Sequence, residues 1–301
     1  MRQFSIKSAI LLLLTAMIWG SAFVAQSVGM RYIGPFTFNG TRSVLGALVL
    51  LPILALFIKS EKAKDSHYCV GTKKDILYSG ILCGVVMFVA SNLQQFGIQY
   101  TTVGKAGFIT AFYIVLVPIL GIFVKRSCPP LVWCGVLLAL VGLWFLCMRK
   151  ESIQLQLGDL LLFLCAVVFA IHILIIDHYS PLVNGVLLSC IQFAICGVLS
   201  LLCAFLFEVI SLPAILNAWQ SILYAGILSC GVAYTLQILG QKNIDPTVGS
   251  LILSLESCIS VLAGWVILKQ TLSGRELFGC ALMFFAVIFV QIVASRKAKQ
   301  S

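Results

Sequence analysis

Along this chain apolar residues run for about twenty positions at a time, then give way to short stretches of charge, glycine and proline. Ten such runs can be placed, at residues 8–28, 36–58, 76–97, 103–124, 131–148, 156–177, 182–207, 219–240, 247–268 and 276–295. Each is long enough to cross roughly 30 Å of hydrocarbon as a helix. Backbone N–H and C=O groups find no water inside lipid, so a spanning segment must satisfy them internally. The runs lack the strict alternation of a transmembrane β-strand, which argues against a barrel. Gly34-Pro35, Pro129-Pro130, Ser180-Pro181, Pro213 and Asp245-Pro246 fall in the connectors, where a missing N–H is tolerated. The pattern predicts an all-α polytopic membrane protein with about ten transmembrane helices.

The runs also repeat. Leu77-Tyr-Ser-Gly-Ile-Leu82 returns as Leu223-Tyr-Ala-Gly-Ile-Leu228, Thr102-Val-Gly104 returns as Thr247-Val-Gly249, and Leu11 to Ala22 is similar to Leu161 to His172. A period this long is a duplicated domain, not a solenoid repeat. The expected halves are residues 8–148 and 156–295, with five helices each. Five is odd, so the second half enters the membrane upside down relative to the first. That is an inverted repeat, the build from which alternating access arises by exchange of conformation between the halves. Gly80-xxx-Gly84 and its counterpart Gly226-xxx-Cys230 permit close helix approach. Pro52 and Pro118 lie inside runs, as kinks that either serve a cavity or are merely structural.

Composition sharpens this picture. A hydrophobic share of 61% with 10% charged residues lies far from a soluble chain. The net charge of +10 does not point to nucleic acid, because the basic residues sit in connectors between apolar runs. Thirteen of them (Arg2, Lys7, Lys59, Lys62, Lys64, Lys73, Lys74, Lys125, Arg126, Lys242, Arg296, Lys297, Lys299) fall on one side, against six (Arg31, Lys105, Arg149, Lys150, Lys269, Arg275) on the other. By the positive-inside rule both termini are expected in the cytoplasm. The first apolar run follows Arg2 and Lys7 as a signal peptide would, but no small-x-small cleavage site follows, so it reads as the first helix. Of the twelve cysteines, all but Cys69 and Cys128 lie in apolar runs and none forms a CxxC pair. They read as packing residues, with neither metal nor cofactor implied.

Candidate chemistry comes from polar residues at membrane depth, where an ionisable side chain costs about 2.5–3.5 kcal/mol and normally faces a cavity or a partner. Glu256, near the middle of the ninth run, is either a site for a proton, cation or amine, or a packing carboxyl. Arg42 in the second run either meets a carboxylate solute, pairs with Glu256, or snorkels to the outer interface. Its counterpart in the other half is Gln192. Asn92, Gln94 and Gln95 answer Gln237 and Gln241; their amides suit an amphoteric solute or bonds between helices. Trp19, Tyr113 and Tyr234 sit away from the interfacial belts, as cavity lining or as packing. His172 is one histidine on an apolar helix and is expected to be hydrogen-bonded. Asp159 reads as an N-terminal cap.

Several of these residues resemble the EamA-type family of drug/metabolite transporters. The resemblance is carried by Trp19-Gly-Ser21, Arg42, Gln192, the stretch Gly97 to Thr110 with Pro118, and the stretch Asp245 to Glu256. It covers essentially the whole chain as two EamA repeats. It implies a ten-helix carrier of the bacterial inner membrane whose central cavity is lined from both halves, with the fifth and tenth helices peripheral. It also implies movement of amino-acid-like, nucleotide-like or other small organic solutes, often outward. The substrate-binding residues it suggests, together with the polar pattern, are Trp19, Ser21, Arg42, Asn92, Gln95, Tyr113, Gln192, Tyr234, Gln237 and Glu256. The family's proline after the glutamate is replaced by Ser257-Cys258, and the Trp-Gly pair of the sixth helix by Phe169-Ala170. The resemblance therefore carries no expectation of a helix break near Glu256.

The expected function is secondary transport of a small organic solute by alternating access, by export or exchange. A coupling proton or cation is the further partner, beside the lipid bilayer. An intramembrane enzyme acting on lipid-linked substrates is the alternative. It lacks HExxH, GxSxG and paired carboxylates within a run, and retains only His172, Asp177 and His178. A passive channel would show rings of like charge or a carbonyl filter, and neither is visible.

Overall fold

The computed structural model describes residues 5–63, 72–124, 130–147, 156–269, 271 and 273–298, which are helical with no strand among them. Ten successive helices follow the ten apolar runs. The first to third are Ile6–Gly29, Pro35–Ala63 and Lys73–Ile98. The fourth comes in two segments, Val103–Thr110 and Tyr113–Phe123. Next come Pro130–Cys147, Leu157–Tyr179 and Gly185–Phe207. The eighth runs from Trp219 through a π-helical stretch, Tyr224–Ala233, to Gln241. The ninth is again in two segments, Pro246–Leu253 and Glu256–Leu268, and the tenth is Gly274–Ala298. Among the described residues eight are long and apolar enough to span a bilayer; Pro130–Phe145 is a shorter apolar helix. Of the basic residues assigned to sides, Arg2, Lys64, Lys125, Arg126, Arg149, Lys150 and Lys299 lie outside the described residues, as does the end of the fifth run at residue 148.

Helix starts are set locally. Thr72 accepts from the Asp75 N–H at 3.1 Å, Asn184 from Leu187 at 2.9 Å, and Asp245 from Thr247 at 2.9 Å with Pro246 in the first turn. Each side-chain oxygen takes up one of the donors that a helix start leaves unpaired. Asp159 is not itself the cap. It sits three residues after Gln156, whose N–H it accepts at 3.1 Å.

Contacts between helices show the inversion directly. Gly135 faces Val290 while Gly142 faces Met283, so the fifth and tenth helices run antiparallel. Gly40 faces Leu201 while Gly197 faces Val44, and the second and seventh do the same. Val103–Thr110 packs on Glu256–Leu268 while Tyr113–Phe123 packs on Pro246–Leu253, so the fourth and ninth also oppose. Equivalent helices of the two halves thus point in opposite senses. The remaining contacts come in mirrored pairs. The third helix lies parallel to the seventh through Gly80 against Ile191 and Gly84 against Ile195. The eighth lies parallel to the second through Gly226 against Leu45 and Gly46 against Cys230. The fifth and tenth helices pack chiefly on each other, at the edge of the bundle.

These close approaches have no room for a side chain. A Cβ on Gly46 would lie 3.0 Å from the Gly226 carbonyl oxygen, and one on Gly84 would lie 3.2 Å from that of Gln192. Overpacking of this kind costs about 1–3 kcal/mol. Gly46→Val and Gly84→Val are therefore expected to lower the melting temperature of the detergent-solubilised protein, whereas Gly274→Ala, with nothing within 4 Å, should not. Unchanged melting of both valine variants would show that the helices are not held at this distance.

Both broken helices break in the bundle interior, at Ala111–Phe112 and at Ser254–Leu255. Neither break is at a proline. Pro118 lies inside Tyr113–Phe123. In the ninth helix a series of serine hydroxyls bonds back to carbonyls around the break. Ser250, Ser254, Ser257 and Ser260 each donate a hydroxyl to the carbonyl three residues earlier, at 2.7–2.9 Å. The backbone tightens locally as well, with Leu255 N–H bonding Ile252 O at 3.2 Å and Ser257 N–H bonding Ser254 O at 3.1 Å. Irregular backbone at this depth is tolerated because it is satisfied within the protein.

Candidate functional site

Between the halves lies a cavity of about 430 Å³, counting its opening. The first helix contributes Trp19, Phe23 and Gln26, the second Arg42, the third Gln94, and the fourth Thr110 and Tyr113. The sixth contributes Phe169 and Ile173, the eighth Ser229, Tyr234 and Gln237, and the ninth Glu256. The repeat organises this lining. Trp19 and Phe23 correspond to Phe169 and Ile173, and Tyr113 and Glu256 are each the first residue after a helix break. Those last two meet: the Tyr113 hydroxyl donates to Glu256 Oε1 at 2.8 Å. The two broken helices thus touch at the residues that follow their breaks.

Arg42 does not pair with Glu256, and it does not snorkel. It is 5% exposed, with its guanidinium 5.5 Å from the centre of the Phe38 ring, and no carboxylate among the described residues lies within ion-pair distance. Packing of the second helix against the eighth covers the route to the interface. Trp19 Nε1, Gln26 Oε1, Arg42 Nε and Gln237 Oε1 are buried without a hydrogen-bond partner in the protein. Leaving such a group unsatisfied costs about 1–3 kcal/mol, more when it is charged. Two unpaired donors, two unpaired acceptors and one charge thus belong to side chains that line the space. The walls are aromatic: the Trp19 and Tyr234 ring centres are 4.5 Å apart, and Phe193 backs Tyr234 at 5.0 Å.

Of the residues expected from sequence, Trp19, Arg42, Tyr113, Tyr234, Gln237 and Glu256 come together here. Ser21, Asn92, Gln95 and Gln192 are not in the lining. The Ser21 hydroxyl meets the Tyr224 hydroxyl at 2.6 Å. Asn92 joins the second, third and seventh helices, accepting from Asn39 at 3.0 Å and donating to Ser200 at 3.1 Å. Gln95 donates to the Gln26 carbonyl at 3.4 Å. Gln192 lies 3.1 Å from His172 Nε2, which gives the lone histidine its hydrogen-bond partner. His172 is fully buried while His178 is exposed, so the histidines of the sixth helix do not converge. Among the described residues no group of three His, Cys, Asp or Glu could hold a metal.

Sequence reasoning missed Phe23, Gln26, Thr110, Phe169, Ile173 and Ser229. The pairing of Trp19 with Phe169 by the repeat could have found two of them, since Phe23 and Ile173 lie one helical turn further on. Ser229 had no such signal. It is placed by the π-helix, whose wider turn also sets the direction of Tyr234 and Gln237.

A model of the EamA-like transporter family matches residues 6–148 and again 156–292. The chain belongs to the EamA-like transporter family. An uncharacterized transporter of Archaeoglobus fulgidus is 31% identical over 287 residues, covering 93% of this chain and 84% of that protein. The uncharacterized transporter YoaV of Bacillus subtilis is 24% identical over 288 residues, covering 93% and 95%. A solved crystal structure, 21% identical, superposes with a TM-score of 0.75 over 97% of this chain and 99% of that one. That similarity shows a shared fold. This EamA chain is thus a multi-pass membrane protein of a transporter family, built as two repeats.

Proposed function

We propose that this EamA protein is a secondary carrier, not an enzyme, and that it moves an amino-acid-like zwitterion by alternating access. The observation that supports this most is the pair of opposite charges offered by one apolar cavity. Arg42 lacks a carboxylate partner among the described residues, and the hydrogen bond that Glu256 accepts comes from a neutral phenol. A solute carboxylate satisfies Arg42, its ammonium satisfies Glu256, and an apolar side chain packs among Trp19, Phe23, Phe169 and Tyr234. A nucleotide fits less well, because its phosphates carry more negative charge than one arginine neutralises and Glu256 repels them.

Glu256 also supplies the coupling. A carboxyl this deep is tolerated when it carries a proton or faces a cation, so proton and ammonium compete for one group and cross in opposite directions. In the cell membrane, the orientation with the chain ends in the cytoplasm and the face carrying Gly34 outside follows from the thirteen-to-six distribution of basic residues. The test is counterflow in reconstituted vesicles. Vesicles preloaded with a mixture of unlabelled amino acids are expected to take up the labelled ones transiently above equilibrium, with saturation, and nucleotides are expected to fail. Linear, non-saturating flux would remove the carrier, and counterflow of nucleotides alone would remove the zwitterion.

A further inference from the structure

Successive helices alternate in direction, so their ends fall on two faces of the bundle. One carries Gly34, residues 99–102 and Glu208; the other carries Asn184 and residues 242–245. On the Gly34 face two charged contacts tie separate helices together. Lys105 at the start of the fourth helix meets Asp159 at the start of the sixth, Nζ to Oδ2 at 2.7 Å, with the Asp159 side chain 7% exposed. Glu208 at the end of the seventh helix accepts from the Phe36 and Thr37 N–H groups, both at 2.8 Å, and from the Thr37 hydroxyl at 2.6 Å. It is an N-terminal cap supplied to the second helix by another helix. A Cβ at Gly34 would collide with that carboxylate, so the glycine keeps its seat open.

The repeat makes the comparison with the other face exact in position. There the positions that the repeat pairs with Lys105 and Asp159 are Ser250 and Ala9, both uncharged and buried. The helix equivalent to the second, Gly185–Phe207, is capped by Asn184, the residue just before it. The positions matching Lys105 and Asp159 thus carry no charge, and the start of Gly185–Phe207 is capped by the residue before it. Of the residues lining the cavity between them, all but Trp19 are less than a tenth exposed.

We infer that Lys105 with Asp159, and Glu208 with the start of the second helix, form a latch that holds the Gly34 face shut and must release when the cavity opens there. The inference rests on the carrier reading. Its readout is accessibility rather than transport, so it can fail while counterflow stands. Charge-assisted bonds to a helix start and a partly exposed ion pair each contribute modestly, so their loss is expected to favour opening by about three- to tenfold.

The experiment places a reporter cysteine at Phe23, towards the Gly34 face, or at Gln237, towards the other, and measures labelling by an impermeant maleimide applied from each side of oriented membranes. The same protein without the reporter gives the background. Asp159→Asn and Glu208→Gln are expected to speed labelling at position 23 from the Gly34 face by about that factor, without speeding labelling at position 237 from the opposite face. Lys105→Gln breaks the first contact from its exposed end and should act like Asp159→Asn, which guards against a variant that folds poorly. Unchanged labelling in variants that melt like the parent would overturn the latch. So would an equal rise from both faces, which reports general loosening.

Discussion

Replacing Arg42 by glutamine is expected to weaken solute binding by about ten- to a hundredfold, with little loss of folded protein. A hydrogen bond to a charged group contributes about 1.5–3 kcal/mol, and each 1.4 kcal/mol is tenfold in affinity. The fold should survive because Arg42 makes no ion pair among the described residues, and its guanidinium lies over the Phe38 ring. Removing a buried charge without a partner relieves a cost rather than breaking a contact. Arg42→Lys should recover only part of the affinity, since a lysine offers a point charge in place of a two-pronged donor. Equilibrium binding in detergent, by ligand-induced shift of melting temperature, reads this directly. Parent-like affinity in Arg42→Gln would mean that no carboxylate is held there.

Glu256→Gln is expected to abolish accumulation against a gradient while leaving exchange measurable at high solute concentration. Glutamine keeps the size of the side chain and a carbonyl that can still accept the Tyr113 hydroxyl, so the contact across the two broken helices persists. What it loses is the capacity to exchange a proton for an ammonium group. Transport should then run only until inside and outside concentrations match, and an imposed pH gradient should no longer drive uptake or efflux. The measurement is solute accumulation in vesicles with and without that gradient, followed by counterflow in the same preparation. If the variant concentrates solute as well as the parent, Glu256 plays no part in coupling.

The two variants separate grip from drive. Loss of binding in the first with retained proton dependence, and loss of proton dependence in the second with retained exchange, is the pattern expected when Arg42 holds the solute and Glu256 links it to the proton. The Gly46 and Gly84 variants act on stability instead, because those positions govern how closely the halves approach.

Much of this architecture was legible in the linear chain. Long apolar runs must be helices in lipid, and five per repeat must invert the second half, whatever the side chains do. Trp19, Arg42, Tyr234 and Glu256 could be singled out because polar and aromatic groups at depth are costly or out of place. Direction was not legible. Arg42 and its counterpart Gln192 occupy matched positions, yet one lines the cavity and the other bonds His172. Asn92 and Gln94 are two residues apart, and only Gln94 faces the space. Which way a side chain points depends on helix rotation, and rotation is set by packing between helices distant in sequence.

The sequence alone determined that the chain is a set of apolar helices, their division into two related halves and the opposite sense of those halves, since hydrophobic length and the odd number of runs per repeat point to that arrangement. Tertiary structure decided the rest. It placed the helix breaks at Ala111–Phe112 and Ser254–Leu255 without a proline, introduced the π-helix that directs Tyr234 and Gln237, and brought Tyr113 to Glu256. Those features depend on carbonyls finding new donors and on backbones meeting at glycine, and both are settled only when the two halves close on each other.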